Sequence, residues 1–333
     1  MIYFNKILSF ALFKSGEKGY NNNVKGGMPV MKIDMHCHVK EGSIDSRVSM
    51  EEYIQLLQSR GFGGMVITDH DTYNGYRYWK KNLKDKKYTD FKVFKGIEYD
   101  TLGAGHILVI VPETIKLRIL ELRGLPLNIL ISIVHSYGGI LGPAHPCGEK
   151  YLSFRNTRTY RRDPKIVEQF DFVEVFNACE DEESNATACR LAEKYHKPGV
   201  GGSDSHKMDC VGLAYTEVPD TVQTETDLIN CIKAQEVIGC GGTLYRRTTK
   251  EKIGKVNTVL VYSFWFYNKF FTLVKTQAEG RIFGSGSPDL NLSGQSGYKL
   301  NRKKMLYFIC ITAGRAEEGY YSFFLLFLRI REG

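Results

Sequence analysis

Seven short apolar runs lie between residues 31 and 245 and alternate with segments of helical periodicity. Most of the runs are rich in Val and Ile, the side chains that buried strands favour. They are MKIDMH, GGMVITDH, FKVFKGIEYD, GHILVIVP, GGILGPAH, DFVEVFN and PGVGGSDSH. Strands that alternate with helices over this length predict an α/β fold, either a parallel barrel or a doubly wound sheet.

The starts of two helices are marked by their capping residues. SMEEYIQLLQSRGF begins with Ser49, and Glu52 follows three residues later, which is the spacing of a capping box. Apolar residues then recur at helical spacing until Gly61. TETDLINCIKAQE repeats the arrangement with Thr224 and Asp227. The sequence therefore predicts helices that begin after Ser49 and after Thr224.

Histidines and acidic residues gather at the ends of the apolar runs. Side chains alternate along a strand, so His36 and His38 at the end of the first run face the same way. His106 opens the fourth run, which indicates a segment that returns antiparallel from the same rim. In a barrel the carboxyl ends of the strands form one functional face. The residues placed there are His36, His38, Asp69, His70, Glu98, His106, His145, Asp204 and His206.

This donor set predicts a metal centre. Nine imidazole and carboxylate groups exceed the ligands of a single ion, so two or three divalent ions are expected, with carboxylates as bridges. Donors without thiolate are compatible with Zn²⁺, Mn²⁺ and Fe²⁺ alike. His135 and His196 lie in helical or loop context, and we expect structural roles for both.

Composition and charge narrow the class of protein. The chain is 43% hydrophobic and 25% charged, as globular proteins are. Its net charge of +8 favours polyanions such as nucleic acids or phosphorylated metabolites. The eight cysteines contain no CxxC pair, which favours a reducing compartment, and we predict a cytoplasmic protein. We predict no stable membrane insertion, since no apolar segment has the ~20 residues that span a bilayer, and no obligate protein partner is evident.

The two ends of the chain differ from its middle. Residues 1–30 are predicted to be a disordered leader, and Met31 offers an alternative start at the first strand. Residues 31–245 carry the α/β pattern. Residues 246–276 are aromatic and basic and are typical of an amphipathic helix that packs on the barrel or touches a membrane surface. Residues 277–333 begin with a Gly- and Ser-rich stretch and form a tail for which no structure is predicted.

Six motifs occur in a fixed order along residues 31–245: HCH, ITDHD, GIE, GHI, AHP and GSDSH. Together they resemble the motifs of the polymerase and histidinol phosphatase (PHP) domain family. The resemblance implies a distorted (β/α)₇ barrel with a trinuclear metal centre that hydrolyses phosphate esters. In such a centre a metal-activated water attacks phosphorus, and no nucleophilic side chain is needed. The C-terminal extension falls outside the resemblance.

The resemblance also implies how the ligands divide among three ions. The first set is His36, His38, Glu98 and Asp204; the second is Glu98, His106 and His145; the third is His70, His206 and an acid that follows the first motif. Glu98 belongs to two sets and is expected to bridge. Glu98, Asp204 and His206 are the residues expected to serve catalysis directly.

The acid of the third set departs from the family pattern. Ser43 stands where the family usually has Asp, and Glu41 and Asp45 flank it. Either carboxylate could reach the site, and we select Asp45. If neither reaches it, the third ion is weak or absent.

Two acids beside His70 are not assigned as ligands. Asp69 lies on the opposite face of the strand, so we expect a structural acid or one that supports a ligand. Asp71 leads into a loop, from which it could orient His70 or a substrate.

Cations for a phosphate group follow His145 in HPCGEKYLSFRNTRTYRR. The basic residues of this loop are Lys150, Arg155, Arg158, Arg161 and Arg162. Arg155 and Lys150 are the predicted phosphate contacts.

The sequence thus predicts a metal-dependent phosphoesterase that acts on nucleotides or short nucleic acid. Two alternatives stay open: a phosphatase of small metabolites such as histidinol phosphate, and a non-catalytic metal-binding regulatory module. The complete donor set argues against the regulatory module.

Overall fold

The computed structural model describes residues 29–149, 153–245, 308–312 and 323–327. The chain divides into two compact units, Met1–Gly286 and Ser287–Gly333. Nearly all of the predicted leader, the whole segment 246–276 and most of the tail lie outside the described residues. In the second unit the described residues form one antiparallel pair, β10 (Phe308–Thr312) and β11 (Phe323–Phe327).

Each of the seven apolar runs contains a strand. The strands are β1 (Val30–Cys37), β2 (Gly64–Ile67), β3 (Lys92–Thr101), β4 (Gly105–Ile110), β5 (Ile140–Pro143), β6 (Val173–Asn177) and β7 (Gly199–Gly202). Two strands that the sequence analysis did not identify follow them, β8 (Ala214–Pro219) and β9 (Gly239–Gly242).

The strands curl into a distorted barrel. Seven of them form one sheet in the order β5-β4-β3-β2-β1-β8-β9, and β6 and β7 form a separate parallel pair. β1, β2 and β3 are parallel, whereas β4 runs antiparallel to both β3 and β5. The β6–β7 pair adjoins both sides of the sheet: Asp171 N donates to Leu141 O of β5 at 2.9 Å, and Gly201 N donates to Thr216 Oγ1 of β8 at 2.7 Å. The predicted α/β barrel and its antiparallel fourth strand are confirmed.

The helices pack outside this barrel. They are α1 (Met50–Ser59), α2 (Asn74–Asn82), α3 (Leu127–Ser136), α4 (Arg158–Arg162), α5 (Glu182–Lys194) and α6 (Glu225–Lys233), with short 3₁₀ helices at Arg118–Glu121, Phe154–Asn156 and Pro164–Gln169. Both predicted capping boxes are present, Ser49 with Glu52 and Thr224 with Asp227. Among the described residues, no helix combines the length and the apolar character that crossing a membrane requires.

A buried core lies along the strands that lead to the site. Ile33 and Met35 of β1 belong to one apolar cluster with Val66 of β2, Phe94 of β3 and Leu108 of β4. Each of these side chains is almost completely buried. Interiors are close-packed, so the bodies of these strands have little freedom. The polar residues at their ends are therefore held in fixed positions.

Candidate metal centre

The structure brings the predicted ligands together at one end of the barrel. His36 belongs to β1, Glu98 to β3 and His106 to β4, and the other ligands lie in the loops that follow β1, β2, β5 and β7. The residues in mutual contact are His36, His38, Asp45, His70, Glu98, His106, His145, Asp204 and His206.

Glu98 occupies the middle of the cluster, and its side chain is only 1% exposed. Its Oε1 lies 2.8 Å from His106 Nδ1 and 3.1 Å from His145 Nε2. Its Oε2 lies 3.0 Å from His70 Nδ1, 3.2 Å from His38 Nε2 and 3.3 Å from His36 Nε2. One carboxylate thus faces five imidazole rings, with its two oxygens directed to different groups of ligands.

Asp204 faces the same two histidines of β1 from the opposite side. Its Oδ1 lies 3.4 Å from His38 Nε2 and 3.6 Å from both His36 Nε2 and His206 Nδ1. The Nε2 atoms of His36 and His38 are 3.0 Å apart. The backbone holds this position, because Asp204 N donates to the His36 carbonyl at 2.9 Å.

The two candidate acids of the first loop have different positions. Asp45 Oδ2 lies 3.1 Å from His206 Nε2 and 3.4 Å from His70 Nε2. Glu41 Oε2 instead accepts a hydrogen bond from Met50 N at 3.0 Å, at the start of α1. The geometry thus places Asp45, and not Glu41, beside the histidines.

Charge compensation is strong within the cluster. Burial raises the pKa of Glu98, but His106, His70 and His36 outweigh it and hold that pKa well below its ordinary value. The pKa of Asp204 is lowered in the same way, with burial opposed above all by His36. Both carboxylates are therefore ionised and able to bind cations.

The donor atoms fit divalent metal ions. Glu98 Oε2, His106 Nδ1 and His145 Nδ1 are buried and have no hydrogen-bond partner in the described part of the chain. Three sets of side chains have ligand atoms within 4.8 Å of one another, namely His38, His70 and His206; His36, His38 and Asp204; and His70, Glu98 and His106. Buried polar atoms that converge without hydrogen bonds are costly unless a cation binds them. Imidazole and carboxylate are ligands for Zn²⁺, Mn²⁺ or Fe²⁺.

Ser43 and Asp69 support this arrangement from behind. Asp69 Oδ1 accepts hydrogen bonds from Val39 N and from Ser43 Oγ, each at 2.9 Å. Ser43 Oγ lies 3.2 Å from His38 Nδ1 and accepts a hydrogen bond from His70 N at 3.3 Å. The serine that replaces the family's usual acid therefore contacts one predicted ligand and the backbone of another.

Asp71 contacts the end of β3. Its Oδ1 accepts a hydrogen bond from Asp100 N, and its own N donates to the Glu98 carbonyl, both at 3.0 Å. These two bonds fix the strand end that carries the central carboxylate.

Sequence analysis missed one acid at the site, Glu174. Its carboxylate is buried, 2.9 Å from His36 Nδ1, and accepts a hydrogen bond from His145 N at 2.5 Å. The only signal for it was an acidic residue inside the apolar run DFVEVFN.

The other predicted polar residues lie apart from the ligands. Arg155 is exposed, and its N donates to the Pro146 carbonyl at 2.9 Å, next to the turn that carries His145. Lys150 lies outside the described residues. His135 Nε2 is 2.9 Å from Asp171 Oδ2, at the end of α3. His196 lies in the turn after α5.

Three solved structures illustrate what the chain is similar to. PsfC from Pseudomonas syringae is 17% identical, with 73% of this chain and 100% of that chain covered and a TM-score of 0.49. A two-domain protein from Bacteroides vulgatus, described as containing a predicted PHP-like metal-dependent phosphoesterase, is 15% identical, with 65% and 66% covered and a TM-score of 0.47. The lesion-specific endonuclease PfuEndoQ from Pyrococcus furiosus is 18% identical, with 63% and 57% covered and a TM-score of 0.46. The chain thus spans about two thirds or less of the second and third proteins.

Family models give a more specific result, although no curated protein matches the chain. The PHP domain model matches residues 34–195, and the PHP-associated model matches residues 182–237. The two matches together cover more than half of the chain and contain all of the candidate ligands described above. The chain therefore belongs to the PHP domain family of metal-dependent phosphoesterases.

Proposed function

We propose that this protein hydrolyses phosphate esters of nucleotides or short nucleic acids, with water as the nucleophile. The observation that carries the proposal is the central position of Glu98, whose two carboxylate oxygens face different groups of histidines. A carboxylate in that position can bridge ions. Bridged divalent ions, when bound, supply an activated water and neutralise charge on the phosphoryl oxygens.

The side chains divide the work of holding this centre. Glu98 would bridge, Asp204 and the His36–His38 pair would complete the most buried position, and His106 with His145 would complete the next. His70, His206 and Asp45 would hold the outermost position. The near-complete burial of the inner ligands excludes bulk water from them, which strengthens every electrostatic contact there.

Exposure shows the side from which a substrate can approach. The side chains of His36 and His38 are 0% exposed, whereas those of His206, His70 and Asp45 are 23%, 31% and 50% exposed. The cluster is therefore closed on the β1 side and open on the other. A phosphoryl group entering there reaches the third ligand set first.

The open side supports a nucleotide rather than a small polar ester. Ile44 and Met208 are 64% and 50% exposed, and each lies within two residues of a member of the third set. Arg47 is exposed on the same loop as Asp45, and its N donates to the His206 carbonyl at 3.0 Å. Apolar side chains such as Ile and Met can contact an unstacked base, while cations attract phosphates. The net charge of +8 favours the same class of substrate.

A substrate panel tests the proposal. Purified protein would be assayed with Mn²⁺ and with Zn²⁺ on 3′,5′-bisphosphonucleotides, 5′-phosphorylated oligonucleotides, histidinol phosphate and glycerol phosphate. Asp204→Asn, which keeps the shape but removes the charge, is the matched inactive control. We expect the nucleotide substrates to have the highest kcat/KM.

Two outcomes would replace the proposal. A clear preference for histidinol phosphate would make the protein a small-metabolite phosphatase. A protein that binds metal stoichiometrically but hydrolyses none of these esters would be a metal-binding regulatory module.

A further inference from the structure

We propose that Glu174 is a positioning residue that orients His36 and His145 for metal binding. The inference rests on the proposed metal centre but concerns a residue outside its ligand sets. Glu174 lies on β6, its side chain is 0% exposed, and its nearest partners belong to β1 and to the loop after β5. Burying a carboxylate is costly unless hydrogen bonds and charges satisfy it. The question is what this carboxylate does there.

The first contact sets the protonation of His36. Glu174 Oε1 lies 2.9 Å from His36 Nδ1, and an ionised carboxylate can only accept, so Nδ1 carries the hydrogen. In the neutral ring the other nitrogen, Nε2, is then free to bind an ion. That nitrogen is the one that faces Glu98 at 3.3 Å and Asp204 at 3.6 Å. The carboxylate therefore selects the tautomer that the centre needs.

The second contact holds the backbone of His145. His145 N donates to Glu174 Oε2 at 2.5 Å, and the residue has a φ of +31°, a conformation that side-chain-bearing residues rarely adopt. A charge-assisted hydrogen bond offsets the cost of this conformation. The turn in turn directs His145 Nε2 to within 3.1 Å of Glu98. One carboxylate thus positions ligands of two different sets.

A third contact extends the arrangement to Asp204. Asn177 Nδ2 lies 3.1 Å from Glu174 Oε2 and 3.3 Å from Asp204 Oδ2. The amide cannot turn over without loss, because its Oδ1 accepts a hydrogen bond from Cys179 N at 2.9 Å. Glu174 and Asn177 therefore form a buried pair behind three of the predicted ligands.

The packing leaves room for this pair only because of Gly202. A Cβ on Gly202 would lie 2.7 Å from His36 N and 2.8 Å from Glu174 Oε1. Real Cβ atoms almost never come this close to other atoms. The glycine at the end of β7 thus permits the contact between the carboxylate and the imidazole.

The contacts also separate positioning from ligation. The oxygens of Glu174 are already engaged by His36, His145 and Asn177. Glu174 is not among the described residues whose donor atoms converge in sets of three. Groups that bind the outer nitrogen of a ligating imidazole commonly change metal affinity 10–100-fold.

Glu174→Gln tests the proposal, with the exposed Glu168→Gln as the matched control. A glutamine that accepts from His36 would turn its NH₂ toward His145 N–H, so two donors would face each other. We expect Glu174→Gln to weaken Co²⁺ binding by the metal-free protein roughly 10–100-fold and to alter the visible Co²⁺ spectrum. Glu168→Gln should leave both unchanged. In ¹⁵N NMR of the wild type, the His36 hydrogen should reside on Nδ1.

Specific results would overturn the role. Unchanged Co²⁺ affinity and spectrum in folded Glu174→Gln would show that the carboxylate does not position the ligands. If Glu174→Gln fails to fold without metal, Glu174→Asp keeps the charge but is too short to reach both partners. Wild-type affinity in Glu174→Asp would equally refute the role. A wild type that binds Co²⁺ but hydrolyses no phosphate ester would refute the proposed function and leave this inference standing.

Discussion

The carboxylate of Asp45 lies 3.1 Å from the Nε2 of His206, across the open side of the metal centre. The two residues come from loops far apart in sequence, and a backbone hydrogen bond from Arg47 N to the His206 carbonyl joins those loops. Asp45 is the most exposed member of the cluster. The third ligand set therefore depends on loop structure, whereas the other sets are built largely on buried strands.

Asp45→Asn should lower the bound metal by about one ion per chain and reduce kcat/KM, because an amide is a poor neutral ligand. Glu41→Gln is the control, since Glu41 contacts the start of α1 and should affect only stability, by about 1 kcal/mol. Metal analysis and phosphate release measure both variants. A larger loss of metal in Glu41→Gln would show that the loop has a different course.

Glu98→Gln should remove activity while the fold persists. The central carboxylate would lose its charge, and five imidazoles would lose their shared partner. We expect kcat to fall roughly a thousandfold, which corresponds to about 4 kcal/mol in barrier. Circular dichroism and metal analysis accompany the assay. His135→Ala, outside the cluster, should keep near-normal turnover, and near-normal turnover in folded Glu98→Gln would refute the bridging role.

Gly202→Ala should damage both stability and metal binding. The added methyl group would collide with His36 and Glu174, and overpacking of this kind costs about 1–3 kcal/mol. Gly241→Ala offers a matched control, because the nearest atom to its added Cβ, the Tyr215 hydroxyl, lies 3.5 Å away. Chemical denaturation and Co²⁺ titration compare the two. Equal effects in both variants would mean that His36 can shift freely.

Ile44→Ser and Met208→Ser should reduce recognition of the base without affecting the chemistry. Each should raise KM for a 3′,5′-bisphosphonucleotide about threefold to tenfold, since each removes about 1 kcal/mol of apolar contact. Hydrolysis of glycerol phosphate, which has no base, is the internal control. A parallel loss on both substrates would place the two side chains in support of Asp45 and His206 rather than in contact with substrate.

The barrel was predictable because seven of its strands are apolar runs of ordinary composition. The antiparallel return of β4 followed from the position of His106 at the start of its run. β9 could not be identified, because Gly-Cys-Gly-Gly has no strand-forming side chain and becomes a strand only by pairing with β8. β8 did carry a usable signal, since buried Ala214 and Thr216 alternate with more exposed neighbours.

The ligands were predictable from the positions of polar residues at strand ends, whereas their supports were not. Sequence leaves Glu41 and Asp45 equivalent, because only the path of the loop between β1 and α1 separates them. Glu174 stands 138 residues from His36, and an acid in a strand is more often turned to solvent. Contacts between distant segments are decided by tertiary packing, to which local pattern is blind.

β1 carries the first two ligands, yet it pairs with β8, which follows the last ligand in the chain. At ~5–20 residues per second, a ribosome needs roughly 10–30 s to pass from codon 36 to codon 206. During that interval the nascent chain presents His36 and His38 without Asp204. An ion captured early by this pair must be retained or exchanged when the acid emerges, so the cell determines the metal content of the enzyme at the end of its synthesis.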